Sequence, residues 1–178
     1  MRELKRQVRR ELIQKRREMT AASKARADRD IFEQLKPLME KASEVFIYVS
    51  TEIEVDTHAA IEWCFEKGIP VAVPVSGDSE LSFFRIRRFD ELSAGRFGIL
   101  EPMERTEEMR GDENALCVVP ALCADGAGLR LGYGRGYYDR FLSRFSGRSV
   151  ILCYADFRRE VPAEPHDVRA DMTIFDRQ

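Results

Sequence analysis

Hydrophobic positions recur with a helical period in several segments, and each recurrence predicts a helix. The N-terminal segment is expected to be a packed helix with a basic outer side. A second helix is expected over 20–38, with Thr20 or Ser23 as its N-cap. Two further helices are expected over 56–68 and 136–145. The apolar stripe of the first helix consists of Leu4, Val8, Leu12 and Ile13.

Short continuous apolar runs lie between these segments and predict buried strands. Residues 88–102, by contrast, are expected to form a structured loop. Strands and helices that alternate in this way indicate an α/β fold of three layers, in which a mostly parallel, Rossmann-like sheet is covered by helices on both faces. No repeat or linker interrupts the pattern, so residues 1–178 are expected to form a single domain. The expected strands are 44–50, 69–75, 81–86, 114–121, 149–155 and 171–175.

Composition narrows the class of protein. The chain has 178 residues, of which 44% are hydrophobic and 34% charged, and these values are typical of a soluble globular protein. The longest apolar runs are too short to cross a bilayer. The N-terminus is charged from residue 2 and has no apolar signal core, so a cytoplasmic location is expected. The four cysteines lack CxxC spacing and only two histidines are present, which favours reduced, packed thiols over a zinc cluster.

Positive charge is concentrated before Met19, and three interpretations of it stay open. The charges could form a solvated helix face, bind a small anion, or bind nucleic acid. Lys5 and Arg9 lie one turn apart and could clasp one anion. No aromatic residue stands among the charges to stack on bases, so no nucleic-acid partner is expected. The basic residues are Arg2, Lys5, Arg6, Arg9, Arg10, Lys15, Arg16 and Arg17.

A glycine-rich stretch, GLRLGYGRGYYD (128–139), follows one predicted strand and precedes a predicted helix. This order places it at the carboxyl end of the sheet, where open α/β folds bind ligands. Glycines allow backbone N–H groups to approach phosphate oxygens, and Arg130 can contact a phosphate at two points. The stretch lacks the Walker pattern GxxxxGK[ST], and a purely structural turn is the alternative.

The segment VVPALCADGAGLRLGYGRGYYDRFL (118–142) resembles the signature of the 5-formyltetrahydrofolate cyclo-ligase, or methenyltetrahydrofolate synthetase, family. Four further segments match the family in order, so the resemblance extends over nearly the whole chain. It implies a fold of the NagB/RpiA/CoA-transferase-like type. The four segments are KRQVRRELIQKRREM (5–19), EVDT (54–57), GRFGILEP (95–102) and VPAEPHDV (161–168).

The resemblance also implies a reaction. ATP would phosphorylate the formyl oxygen of 5-formyltetrahydrofolate, N10 would attack the activated carbon, and phosphate would leave. The products would be 5,10-methenyltetrahydrofolate, ADP and phosphate, with Mg²⁺ as the required metal ion. The expected partners are therefore two small molecules, ATP and the folate, with no membrane, and the protein is expected to act as a monomer.

By the same resemblance, Lys5 and Arg9 hold ATP phosphates, and Arg130 is the catalytic residue that stabilises the moving phosphoryl group. Asp139 and Asp167 match the Mg²⁺ ligands, although Asp139 could instead cap its helix. The nucleotide loop consists of Arg130, Leu131, Gly132, Tyr133, Gly134, Arg135, Gly136, Tyr137 and Tyr138.

The folate end of the site is assigned on the same basis. Glu54 would bind the pterin, since a carboxylate can accept hydrogen bonds from the ring's amino and N–H edge, but it could be only an early charge on its helix. Phe97 would pack against the pterin face, with a loop plug as the alternative. His166 is expected to orient its loop. The remaining folate residues are Val49, Tyr133 and Tyr137.

The chain departs from the family pattern at two places near the site. The usual P-G-[LVI]-[AG]-F-D reads PALCAD (120–125), and the usual glutamine after the penultimate strand is missing, with Asp156 or Arg158 near its place. A non-catalytic nucleotide- or folate-binding regulator, and an unrelated small-molecule enzyme such as a sugar-phosphate isomerase, are therefore the alternative functions. Neither departure changes a proposed phosphate or magnesium residue, which favours the enzyme.

Overall fold

A computed structural model of the chain describes residues 2–95 and 98–177. Among these residues the α-helices are α1 (Arg2–Arg17), α2 (Ala21–Met39), α3 (His58–Lys67) and α4 (Tyr137–Leu142), and Phe89–Glu91 and Ala155–Phe157 form short 3-10 helices. The strands are β1 (Val45–Ile47), β2 (Val71–Ser76), β3 (Leu81–Ile86), β4 (Leu92–Ala94), β5 (Leu100–Pro102), β6 (Glu108–Met109), β7 (Leu116–Pro120), β8 (Cys123–Ala124), β9 (Arg130–Leu131), β10 (Arg148–Cys153) and β11 (Met172–Phe175).

Seven of these strands form one sheet in the order β11-β10-β7-β1-β2-β3-β6. The five strands from β11 to β2 are parallel to their neighbours, whereas β3 and β6 run antiparallel at one edge. The expected mostly parallel sheet is confirmed. Its central strands are hydrophobic throughout and fully buried, because both faces of a parallel sheet are covered.

Helices cover both faces of this sheet, as expected. The crossover through α3 leads from β1 to β2, and the crossover through α4 leads from β7 to β10, in the opposite direction along the sheet. Since both crossovers follow the right-handed rule, the two helices lie on opposite faces. On the α3 face, the Cys64 thiol of α3 lies 3.7 Å from the Met39 sulfur of α2. On the other face, the Phe46 ring of β1 packs against Phe141 and Phe145.

The helix ends follow local chemistry. Thr20 caps α2 through its hydroxyl, which accepts a hydrogen bond from Ser23 N at 3.1 Å, as predicted. Gly68 ends α3 at a φ of 69°, a conformation that costs glycine little. The last helix, α4, ends at Leu142, three residues earlier than predicted, and a turn at 143–144 follows it. Gly147, just before β10, lies so close to the Ala115 carbonyl that a Cβ there would clash.

Three regions differ from the sequence prediction. One is β6, an edge strand in a segment for which no strand is predicted. Residues 88–102, expected to be a loop, contain the antiparallel hairpin β4–β5. The glycine-rich stretch likewise contains a short strand, β9, which pairs with β8 in a hairpin that places Cys123 opposite Leu131. Strands of two or three residues are too short to show an alternating pattern, and their pairing depends on partners distant in sequence. The strand predicted over 44–50 is also shorter, since its last residues turn away to line the site.

The cysteines are free and buried, as expected for packed thiols. Burial raises the pKa of Cys64 and of Cys153 to about 12, so neither thiol is a nucleophile near neutral pH. Within residues 2–95 and 98–177, no helix has the length and hydrophobicity that a bilayer crossing requires.

Candidate active site

The carboxyl ends of the parallel strands β1, β2 and β7 open into a cavity of about 490 Å³. Tyr48 and Val49 follow β1, Ser76 ends β2 and Pro120 ends β7, and all four residues line the cavity. Helix α1 and the segment 164–167 supply further walls. This is the edge at which open α/β sheets bind ligands.

All the predicted site residues that the structure describes line this one cavity, although they come from segments far apart in sequence. Phe97 lies outside the described residues. Thr51, Ser76 and Glu164 also line the cavity but were not predicted from the sequence. Of these three, only Glu164 could have been found from the sequence, because it belongs to the matched segment VPAEPHDV. The predicted residues found there are Lys5, Arg9, Val49, Glu54, Arg130, Leu131, Gly132, Tyr133, Gly134, Arg135, Gly136, Tyr137, Tyr138, Asp139 and Asp167.

Arg9 of α1 lies directly against the glycine-rich loop. Its Nε donates to the Gly132 carbonyl at 2.8 Å. Gly134 adopts a φ of 96°, and a Cβ there would stand 2.8 Å from the Arg9 guanidinium carbon. The backbone conformation therefore requires glycine at this position, and a side chain there would also displace the Arg9 guanidinium. The loop and the basic helix form one continuous wall.

Arg130 is held by two acceptors at the back of the cavity. Its Nη1 donates to the Val168 carbonyl at 2.9 Å, and its Nη2 donates to Asp139 Oδ1 at 3.0 Å. The same carboxylate oxygen accepts from Val168 N at 3.1 Å. The bonded partners of Asp139, Arg130 and Val168, lie outside α4. The N-cap residue of α4 is Gly136, so these bonds do not support a capping role for Asp139. The guanidinium is fixed in orientation.

Lys5 joins α1 to an acidic group on the 164–167 segment. Its Nζ lies 2.5 Å from Glu164 Oε2 and 3.5 Å from Asp167 Oδ2. The hydrogen bond from Lys5 lowers the pKa of Glu164. Glu164, His166 and Asp167 each place a ligand atom within 4.8 Å of the other two. The His166 side chain is 73% exposed, so it is held less firmly than the side chains of Glu164 and Asp167.

Glu54 is buried at the other end of the cavity, with only 8% of its surface exposed. Its Oε2 accepts from Thr51 N at 2.8 Å and from the Thr51 hydroxyl at 2.9 Å. Loss of hydration raises the pKa of Tyr133, and the charge of Glu54 and a hydrogen bond to it raise that pKa further. Glu54 is therefore a buried, oriented acceptor rather than only an early charge on α3.

The two tyrosines that open α4 differ in their contacts. The Tyr137 hydroxyl donates to the Gly77 carbonyl at 2.9 Å and so ties α4 to the end of β2. The Tyr138 hydroxyl is buried and has no hydrogen-bond partner among the described residues. Asp156 and Arg158, which stand near the place of the missing glutamine, are not among the residues that line the cavity.

A smaller cavity of about 350 Å³ adjoins the first and shares Lys5 and Leu131 with it. Leu4, Val8, Val161 and Pro162 give it a largely apolar wall.

The fold and the cavity define an α/β protein with a ligand site at the carboxyl edge of a mostly parallel sheet, in which fixed cations face a buried carboxylate. The model of the 5-formyltetrahydrofolate cyclo-ligase family matches residues 1–176, and the chain therefore belongs to that family and is an enzyme of the ligase class.

Relatives and solved structures agree with this assignment. The chain is 30% identical over 174 residues to a 5-formyltetrahydrofolate cyclo-ligase of Mycolicibacterium smegmatis, an alignment that covers 92% of this chain and 89% of the relative. The NMR structure of 5,10-methenyltetrahydrofolate synthetase from Aquifex aeolicus superposes with a TM-score of 0.84 at 29% identity, over 97% of this chain and 89% of that one. A synthetase of the same name from Mycoplasma pneumoniae, at 22% identity and a TM-score of 0.76, covers 96% of this chain and 97% of its own and supports the fold.

Proposed function

We propose that the protein converts 5-formyltetrahydrofolate to 5,10-methenyltetrahydrofolate, with conversion of ATP to ADP and phosphate. The observation that carries this proposal is a single cavity with two chemically different ends. One end presents Lys5, Arg9 and Arg130 around a glycine-rich loop, which suits a polyphosphate. The other end presents the buried carboxylate of Glu54, which suits the amino and N–H edge of a pterin.

The proposed chemistry needs both ends at once. The formyl oxygen attacks the γ-phosphorus of ATP, and the bond from that phosphorus to ADP breaks. N10 then attacks the formyl carbon, the N10 proton is released, and the C–O bond breaks so that the oxygen leaves in phosphate. The protein mainly aligns the two substrates and spreads the transferring charge. A sugar-phosphate isomerase would need neither ATP nor a pterin acceptor.

Arg130 is the residue proposed to stabilise the transferring phosphoryl group. A guanidinium carries a permanent charge and a planar set of donors. Two of its donors are already engaged by Val168 O and Asp139, so little reorganisation is needed when the phosphoryl charge moves.

Mg²⁺ fits the donors of this site, because Asp139, Asp167 and Glu164 offer the carboxylate oxygens that a hard ion prefers. These carboxylates would hold the ion, which would supply positive charge to neutralise the phosphates of ATP. Since Asp139 is paired with Arg130 and Asp167 with Lys5, both carboxylates are held close to the proposed phosphate site before any ion arrives.

We further propose a monomer of one domain in a reducing, cytoplasmic environment. The cavity lining runs from Lys5 to Asp167 of one chain, so no second copy is needed to complete it. The four buried cysteines are free thiols, which suits a reducing compartment.

Formation of the product tests the proposed function. The methenyl product has an N5–C–N10 amidinium conjugated with the aminobenzoyl ring, so a new near-ultraviolet band should grow in step with ADP. The band should require ATP and Mg²⁺ together. A protein that binds ATP and 5-formyltetrahydrofolate but makes neither band nor ADP would instead be the non-catalytic regulator.

The basic helix should serve ATP. Lys5→Ala combined with Arg9→Ala should raise the KM for ATP by about 100-fold, because each side chain supplies a charge-assisted bond to a phosphate. The folate KM should change little. The matched control combines Arg6→Ala with Arg10→Ala, since both arginines are exposed on the same helix. Unchanged ATP kinetics in a folded double variant would contradict this role.

The carboxylates should serve the metal ion. Asp167→Asn and Asp139→Asn should each reduce turnover by about 100-fold or more at low Mg²⁺, because an amide is a poorer ligand for a hard cation. Excess Mg²⁺ should restore part of the activity. Asp90→Asn, at an exposed salt bridge with Arg88, is the control. An Asp167→Asn variant with normal Mg²⁺ dependence would show that this carboxylate is not a ligand.

A further inference from the structure

Three consecutive peptide carbonyls next to the cavity accept hydrogen bonds from side chains of three different parts of the chain. They belong to residues 53–55, the segment that carries the Glu54 carboxylate. We call this arrangement the carbonyl clamp. Its bonds run from Arg16 Nη1 to Ile53 O (3.0 Å), from Tyr154 Oη to Glu54 O (2.9 Å) and from Tyr48 Oη to Val55 O (3.0 Å).

Arg16 is the unusual member of the clamp. It is 3% exposed, and among the described residues no carboxylate lies within ion-pair distance of it. Its Nη2 donates to the carbonyls of Ala121 (2.6 Å) and Leu122 (3.0 Å), and its guanidinium lies 4.8 Å from the centroid of the Phe157 ring. Burial of an unpaired cation is costly, so packing alone would favour an apolar residue here, as it does at Leu12 one turn earlier.

Glu54 is one carboxylate whose charge acts in the same region as this cation. The charge of Glu54 raises the pKa of Tyr133, and the charge of Arg16 lowers it, so both charges lie near the same hydroxyl. Arg16 thus holds the backbone of the Glu54 segment and offsets the buried negative charge that this segment carries.

Tyr154 connects the segment to α2. Its hydroxyl carries a single proton, which is shared between Glu54 O at 2.9 Å and Asp28 Oδ1 at 2.7 Å, and the residue is 1% exposed. The same Asp28 oxygen accepts from Asp56 N at 3.0 Å. The segment is therefore held at its carbonyls and at its C-terminal amide.

Lys5, Arg9 and Arg16 lie on one face of α1, because their spacings of four and seven residues return to the same side of a helix. One end of that face contacts the glycine-rich loop through Arg9, and the other end holds the Glu54 segment through Arg16. The helix spans both ends of the proposed site.

We propose that Arg16 is a positioning residue which, with Tyr154, fixes the Glu54 carboxylate for the pterin end of the substrate. This role rests on the proposed function. A positioning role differs from a merely stabilising one in its consequence. Loss of the Arg16 or Tyr154 side chain should weaken folate binding through Glu54 and leave ATP binding unchanged.

The test uses Arg16→Met and Tyr154→Phe, with Leu12→Ala as the matched control on the same helix face. Both test variants should raise the Kd for 5-formyltetrahydrofolate by about tenfold, the effect of one lost buried hydrogen bond. The Kd for ATP should stay within about twofold of the wild-type value. Leu12→Ala should lower the melting temperature and leave both constants unchanged. Tyr154→Phe removes one oxygen atom and keeps the test valid if Arg16→Met does not fold.

A double-mutant cycle with Glu54→Gln separates positioning from general damage. If Arg16 and Tyr154 act through Glu54, their replacement in the Glu54→Gln protein should add little further loss of folate affinity. Additive losses, or an equal loss of ATP affinity, would overturn the proposal. If Glu54→Gln weakens folate binding while Arg16→Met and Tyr154→Phe leave it unchanged, only the positioning role of Arg16 and Tyr154 would be overturned. A wild-type protein that binds no 5-formyltetrahydrofolate would overturn the proposed function and this role with it.

Discussion

Arg130→Ala should reduce product formation by about three orders of magnitude, because arginines that stabilise a transferring phosphoryl group have effects of this size. The loss should lie in kcat, while the Kd for 5-formyltetrahydrofolate stays measurable, since the proposed work of Arg130 belongs to the transition state. Single-turnover growth of the near-ultraviolet band measures the chemical step directly. Binding of the folate is followed separately by titration in the absence of ATP.

Arg130 also has a structural contact that must be separated from its chemistry. Its bond to the Val168 carbonyl holds the 164–168 segment, so some stability should be lost with the side chain. Arg130→Lys keeps the charge but loses the planar pair of donors, and it should recover only part of the rate. Arg144→Ala, at an exposed salt bridge with Glu80, is the control. A loss of folate affinity as large as the loss of rate would show that Arg130 only holds the site together.

Glu54→Gln should raise the Kd for 5-formyltetrahydrofolate by about 100-fold, because hydrogen bonds to a buried carboxylate are stronger than those to an amide. The amide oxygen can still accept from Thr51 N and the Thr51 hydroxyl, so the local backbone should keep its conformation. The KM for ATP should be unaffected. Equilibrium titration with the folate and steady-state kinetics with ATP measure the two effects independently.

The control for this variant is Glu52→Gln, the same change at an exposed position two residues away. It should leave the folate Kd unchanged. If both substitutions weaken folate binding equally, the effect would come from net charge near the cavity. If neither does, the pterin end must bind elsewhere and the two-ended site would be wrong.

The order of elements could be predicted from the sequence, because it depends on local information. Helical periods located the four α-helices, and continuous apolar runs located the five parallel strands. Thr20 and Ser23 were the two candidate caps for the start of α2, and Thr20 is the one that caps it. The short hairpin β4–β5 could not be predicted in this way. Its strands have three residues each, and they are defined by pairing with one another rather than by a pattern within either.

For the candidate site too, the sequence selects residues, whereas their contacts appear only in the folded chain. Lys5, Arg9 and the glycine-rich loop could be selected from the sequence because charge spacing and glycine density are local properties, and the resemblance to the family added Glu54, Asp139 and Asp167. Only the tertiary structure decided what these residues contact, such as the carboxylates beside Lys5.

Arg16 shows the limit most clearly. By sequence it is one more basic residue in a charged helix. Only its four-residue spacing from Leu4, Val8 and Leu12 distinguishes it from Lys15 and Arg17, and its charge argues for exposure. In the folded chain it is buried, with its guanidinium on the carbonyls of Ile53 and Ala121. The sequence by itself determined the chemistry available to this protein and the order of its elements. The tertiary structure alone decided which charge is exposed and which is enclosed, because burial depends on segments distant in sequence, such as those of Ile53, Ala121 and Phe157, that meet α1 only in the folded chain.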